Sequence, residues 1–387
     1  MPSTPENECI INEHRQMQKT ISSRIAMLRF PLIVGVVFIH NYSTTAHLNP
    51  SGNGSVWYDF AHRVISEGIA SIAVPLFYLM SGYLFFVGFD GFAAYREKLN
   101  RRVWTLLIPF LFWNLLTLAV YGFGESFKPT APLFSSSVRF YVPGFHGFDY
   151  VNAMLGITGH PIAYQFWFIR DLMILVLLAS IIRLLFVRKL GLPLLLILFG
   201  CWYSGTWPIL WPAAVSTLFF CVGSYLSHVD ADLKVFDRYG KLLAPLYIVV
   251  LACDAAYFSR PGDAYIHKAS MVVGLLTWWW MTGLIVRHSR ISVRRLSALG
   301  ASSFFVFAAH EPELTILWKL ALKKVHHLDG VVFLALYLLI PTVLITFLVF
   351  AHRILERAAP RFTALIVGER SQKKVAKELS GVALYAK

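Results

Sequence analysis

An arginine and a histidine bracket ten residues without an ionisable group, in Arg29-Phe-Pro-Leu-Ile-Val-Gly-Val-Val-Phe-Ile-His40. On an α-helix that spacing rises about 16 Å and makes about three turns, so both side chains lie on one stripe. The rise is about half of the ~30 Å hydrocarbon thickness of a bilayer. With Arg29 among the cytoplasmic headgroups, His40 sits near the midplane, where an ionisable group normally faces a protein interior or a wet cavity. His47 continues the same stripe. Histidine is the side chain best suited to moving a proton near neutral pH. In an apolar helix its alternative task is to hydrogen-bond a neighbouring carbonyl.

A second histidine lies in Ser302-Ser303-Phe-Phe-Val-Phe-Ala-Ala-His310-Glu311-Pro312-Glu313. Pro312 has no N–H for the carbonyl of residue 308 and is expected to break the helix at mid-depth. His310 and Glu311 at such a break are candidate catalytic groups with His40. Glu311 is expected to seek a cation, with Arg170 the nearest candidate. Lys98-Leu-Asn-Arg101-Arg102 precedes another apolar run. With Arg29 these residues form a basic cluster of two readings: headgroup anchors that snorkel, or a clamp for phosphates through charge-assisted bonds. Pro75-Leu-Phe-Tyr-Leu-Met-Ser81-Gly82-Tyr83 suits close helix packing, with Ser81 a candidate donor to a cavity. In Gln165-Phe-Trp167-Phe-Ile-Arg170-Asp171, Trp167 fits an interfacial aromatic belt or a stacking surface for a sugar ring. Arg170 and Asp171 are adjacent, so each is expected to take a partner from outside its helix.

These groups need elements to hold them, and composition names the class. Of 387 residues 57% are hydrophobic and only 14% charged, and the mean hydropathy is +0.60. Soluble proteins carry about 25% charged residues, so this is an integral membrane protein. The net charge of +14 lies in short patches beside apolar spans, where anionic lipid explains it; no nucleic-acid-binding signature accompanies it. Apolar runs bounded by charges and Pro/Gly clusters give about ten spans, at 26–46, 68–89, 103–123, 164–186, 190–204, 209–227, 242–258, 269–286, 298–320 and 331–351. The fifth is short and contains Pro193. With both termini cytoplasmic, most of the 35 Lys and Arg residues fall inside, as the positive-inside rule requires. The expected fold is therefore an all-α polytopic helix bundle. It comprises a cytoplasmic segment 1–24, a membrane domain 25–352 and a cytoplasmic tail 353–387.

The long outer segment 124–163 is rich in Pro, Gly, aromatic and His residues, among them His146 and His160, and reads as a folded lid. The tail mixes basic and apolar residues and is expected to lie on the inner leaflet as an amphipathic piece. The polar first ~24 residues contain no cleavable signal peptide. Cys9, Cys201, Cys221 and Cys253 lack disulfide or metal spacing and read as small apolar fillers. No G-x-S-x-G elbow, H-E-x-x-H helix, P-loop or metal-ligand cluster occurs. The basic cluster would suit a phosphate-bearing ligand, and midplane His and Glu would equally suit a proton-coupled transporter or exporter, although no inverted repeat is visible.

The Arg29-x10-His40 element resembles the signature of the acyltransferase 3 family of integral-membrane acyltransferases. Pro75-Leu-Phe-Tyr-Leu-Met-Ser81-Gly82-Tyr83, the Lys98-x-x-Arg101 element leading to Pro109, and Trp167-Phe-Ile are similar to further family motifs, over about Arg24 to His352. Members often carry Tyr-Leu-x-His where this chain has Phe307-Ala-Ala-His310. The resemblance implies transfer of an acyl group, usually acetyl, from acyl-CoA to a hydroxyl of a bacterial surface carbohydrate, at the inner membrane. Arg29, Lys98, Arg101 and Arg102 would hold the CoA phosphates, and His40 would be general base. The outer loop, Trp167, Arg170, Asp171 and Ser81 would seat the acceptor. Membrane lipids and the polysaccharide-synthesis machinery are the partners it implies. No serine-hydrolase-like domain is appended, so transfer is expected to finish within the membrane domain or its outer loop.

Overall fold

Apolar length decides which helices can cross a bilayer. In the computed structural model, which describes residues 5–48, 56–134, 141–324 and 330–368, every regular element is helical. Among the described residues six helical stretches are long and apolar enough to span: Thr20–Thr45, Trp57–Phe86, Gly91–Ser126, Leu233–Tyr257, Asp263–His288 and Gly330–Ala358. A seventh results if Arg290–Gly300 and Ser303–Ala309, bent by 44°, form one span. The first lies within α1 (Pro5–Leu48), and the next two end in α2 (Ala73–Phe86) and α3 (Ile108–Ser126). Between α3 and the later spans lie α4 (Trp167–Val187) and α5 (Ala214–His228). Then come α6 (Gly240–Tyr257), α7 (Asp263–His288), α8 (Ser303–Ala309) and α9 (Glu313–Lys324). The chain continues through α10 (Gly330–Ala358) to α11 (Pro360–Val367).

The remaining expected spans take other forms. The run at 164–186 is α4, 21 residues carrying Arg170, Asp171 and Arg183. The run at 190–204 is the helix Gly191–Ser204, 14 residues long, which reaches roughly 21 Å. The run at 209–227 is α5, 15 residues. The run at 298–320 is interrupted twice, between Gly300 and Ser303 and between Ala309 and Glu313. α1 runs unbroken from Pro5 through the expected start of the membrane domain at residue 25, and its apolar stretch is Thr20–Thr45.

Close helix approach holds the bundle. A Cβ placed on Gly82 of α2 would meet the Phe220 carbonyl oxygen at 2.1 Å, and one on Gly223 of α5 would meet that of Leu79 at 1.9 Å. Only glycine lets these two backbones touch. Around this crossing lie Leu76, Tyr78, Leu172, Leu218 and Phe220, all buried. At one end Arg24 is buried and grips Asp237 at 3.0 and 2.5 Å, while Arg287 reaches the same carboxylate at 2.8 Å. Arg24 thus acts as a buried tie between helices.

The segment 124–163, expected to lie outside as a lid, is folded over its described residues. Val142, Ala153 and Ile162 form a small core of their own, and His146 caps the helix Gly147–Leu155. Residues 135–140 lie outside the described residues. The start of the tail is helical and packs on the bundle. Thr363, Ile366 and Val367 of α11 are buried against the bundle, and Trp113 Nε1 donates to the Ile366 carbonyl at 2.9 Å. One face of α11 therefore packs on protein, while Phe362 and Leu365 stay exposed. Residues 369–387 lie outside the described residues.

Candidate active site

A cavity of about 430 Å³ runs along the Arg29–His40 stripe. Arg29, Ile33, Val36 and His40 line it from α1, at the i, i+4, i+7 and i+11 positions of one helix face. Ser81 enters from α2, Arg102 and Thr105 from the segment before α3, and Gln165 and Trp167 from the start of α4. Ser303 and Phe307 of α8 complete the opposite wall, and Val367 and Gly368 close it beside α11. The segment carrying Thr105, Val103–Leu107, is a π-helical turn, a local widening that often marks functional sites. Gly368 follows α11 with φ +68, and a Cβ there would sit 2.4 Å from the Thr105 carbonyl oxygen.

The basic cluster divides by what each residue touches. Arg29 and Arg102 line the cavity. Lys98 does not, because its Nζ donates to the Val87 carbonyl at 2.7 Å and ties down the end of α2. Arg101 turns to Glu97 one helical turn back, an exposed pair. Of the four expected phosphate ligands, the geometry therefore brings two together.

At the other level of the cavity three side chains meet. The His40 ring stacks on Tyr164, with centroids 4.7 Å apart and planes at 23°. His310 meets it edge-on at 5.0 Å and 86°. His310 is wholly buried and its Nδ1 donates to the Phe307 carbonyl at 2.7 Å, which leaves Nε2 with the lone pair in the neutral ring. That Nε2 is buried with no hydrogen-bond partner among the described residues. Beside it Glu311 accepts from Tyr164 Oη at 3.1 Å and Thr44 Oγ1 at 3.4 Å on Oε1, and from Thr315 Oγ1 at 2.8 Å on Oε2.

The break at Pro312 is resolved by a residue the sequence reading quoted without a role. Pro312 lacks the N–H that would bond the Ala308 carbonyl, and Gln165 Nε2 donates there at 3.0 Å. Its signal was available: an amide among apolar residues, in register with an orphaned carbonyl. Asn41 was also missed. It accepts from Trp318 Nε1 at 2.6 Å and donates to the Tyr337 carbonyl at 3.0 Å, fixing the depth of α1 against α9 and α10. Tyr164 carried no signal, being one aromatic among many. The side chain of His47 lies outside the described residues.

Arg170 and Asp171 each take the expected partners from outside α4, and in addition Arg170 Nη2 reaches Asp171 Oδ1 at 3.2 Å, because at the start of α4 the long arginine folds back over its neighbour. Arg170 also donates to the Gly156 and Gly159 carbonyls at 2.6 and 2.5 Å. Asp171 is fully buried and accepts from the Ala213 N–H at 2.7 Å and Ser216 Oγ at 3.0 Å. The pair fastens the outer loop and α5 to α4. Neither residue lines the cavity, and Arg170 does not serve as the expected cation for Glu311. Trp167 and Ser81 do line it, and the Trp167 ring lies 6.4 Å from His160 of the outer loop.

The site thus joins two guanidinium groups, an apolar passage and an imidazole stacked beside a buried carboxylate. Residues 23–351 match the acyltransferase 3 family, described as an acyltransferase domain. Over 375 residues the chain is 26% identical to the succinoglycan biosynthesis protein ExoH of Rhizobium meliloti (strain 1021), covering 92% of this chain and 95% of that protein. No solved structure matches the chain. The family match takes in Arg29, Ser81, Arg102, Trp167, His310 and the whole Arg29–His40 stripe, and on that extent the chain belongs to the acyltransferase 3 family and is an acyltransferase.

Proposed function

We propose that this protein moves an acetyl or similar short acyl group from acyl-CoA to a hydroxyl of an exported polysaccharide or its lipid-linked precursor. It would do so in a bacterial inner membrane that it crosses about ten times, with both termini cytoplasmic. One observation carries the reading: a single cavity is lined by Arg29 and Arg102 and also by His40, with mostly apolar residues between. Guanidinium groups suit the phosphates of CoA, and an apolar passage suits its slender arm. The similarity to a protein of succinoglycan biosynthesis favours a carbohydrate acceptor. Family membership favours the enzyme over the carrier.

In this mechanism His40 takes the proton of the acceptor hydroxyl as the oxygen attacks the thioester carbonyl. The new C–O bond forms, the C–S bond breaks, and the proton passes to the departing CoA sulfur. Positioned proton transfer of this kind contributes about 10²–10⁴-fold. Trp167 would stack against the sugar and Ser81 would donate a hydrogen bond within the cavity. His310 and Glu311 would serve at the edge of His40.

The test is mass analysis of surface glycan from the native strain, a strain lacking the protein, and strains carrying the wild-type or His40→Ala protein. Loss of one acyl increment, restored only by the wild-type protein, supports the reading and identifies the acyl group. An unchanged glycan in the deletion strain would remove the carbohydrate acceptor.

A further inference from the structure

We infer that Tyr164 is a positioning residue for His40, a role that rests on His40 acting as the base. Tyr164 opens the short 3-10 turn Tyr164–Phe166 that leads into α4. Its ring covers one face of the imidazole at 4.7 Å, while the edge contact of His310 restrains the ring from another direction at 5.0 Å. An imidazole is soft about its second side-chain torsion. A stacked face and an edge contact together define its plane, and so the line along which its nitrogens point. Tyr164 is fixed in turn, because its hydroxyl donates to Glu311 Oε1 at 3.1 Å. The same carboxylate oxygen accepts from Thr44, one helical turn beyond His40 on α1, at 3.4 Å. The clamp therefore closes on the helix that carries the base. Misplacing a reacting group by about 1 Å can cost about 10²-fold in rate, so the clamp acts on the chemical step. Tyr164 does not line the cavity, which separates this role from donor binding.

The test compares Tyr164→Phe, which keeps the ring and loses the hydroxyl, with Tyr164→Leu, which loses the ring but retains bulk. Membranes carrying equal amounts of each protein are given acetyl-CoA with the surface glycan as acceptor, and ester formation is followed. Binding of acetyl-CoA is measured separately on detergent-purified protein. The Leu variant is expected to transfer at least about tenfold more slowly with unchanged acetyl-CoA affinity, and the Phe variant, which keeps the stacked ring but loses its tie to Glu311, to fall between it and the parent. Equal rates in the two variants, or acetyl-CoA affinity lost in step with rate, would overturn the role. Should the parent fail to bind acetyl-CoA, the donor proposal falls. The Phe-to-Leu comparison is then read from glycan esters formed in cells, where equal ester levels would still sink the clamp.

Discussion

Lys98, Arg101 and Arg102 carry the same charge within one turn and a half of helix, yet only Arg102 reaches the cavity. Side-chain direction separates them, and that direction depends on the carbonyl of Val87 and the carboxylate of Glu97. Charge-assisted hydrogen bonds contribute about 1.5–3 kcal/mol. Arg29→Ala and Arg102→Ala should thus each weaken acyl-CoA binding by about ten- to a hundredfold. Arg101→Ala should stay within about twofold, since exposed i,i+4 pairs are worth only about 0.3–0.5 kcal/mol. Titration calorimetry on purified protein checks all three, and equal losses at the three positions would refute the assignment. His40→Ala should abolish glycan acylation while the protein remains in the membrane, as read by glycan mass and immunoblot. The stripe itself was readable because helical period and burial cost act on one local segment. The Tyr164 clamp was not, because it joins three residues far apart in the chain whose types are individually common.

Among the helices, the break between α8 and α9 was visible in Pro312, but its remedy was not. Gln165→Leu leaves the Ala308 carbonyl without its amide donor at 3.0 Å, which should destabilise by about 1–3 kcal/mol. The measurement is thermal unfolding in detergent; an unchanged midpoint would mean that the carbonyl is satisfied elsewhere. The crossing of α2 and α5 makes a sharper contrast. Gly82→Ala and Gly223→Ala drive a methyl into backbone carbonyl oxygens, whereas Gly200→Ala meets nothing within 4 Å. The first two should sharply reduce the yield of folded protein in membranes, and the third should match the parent. Gly82 was expected to pack because it follows Ser81 in a proline-broken apolar run. Gly223 carried no local mark, since close approach is a property of two helices together.

Across the molecule, helices turn large apolar side chains outward, among them Leu242, Ile248, Val343 and Phe350. Such exposure is ordinary where the solvent is lipid. The positive-inside count places Arg24 by side of the membrane alone, and the fold adds what it holds there: it is buried on Asp237. With the protein's own cysteines replaced by serine, Phe145→Cys should react with a membrane-impermeant thiol reagent in intact spheroplasts. Labelling only after lysis would reverse the proposed orientation. The segment 124–163 is folded over its described residues, but its attachment through Arg170 to the Gly156 and Gly159 carbonyls could not be read from adjacent charges.

The wall formed by Val367 and Gly368 beside Arg102 and Thr105 has a consequence for synthesis. α1 supplies Arg29 and His40, and a segment made far later in synthesis supplies the residues that close the same chamber. A nascent chain that has inserted all its longer spans still lacks one wall of this cavity. Premature termination just before α11 would therefore leave a membrane-inserted protein with an open cavity. The matched family segment ends at residue 351, so this last piece of the chamber lies beyond it.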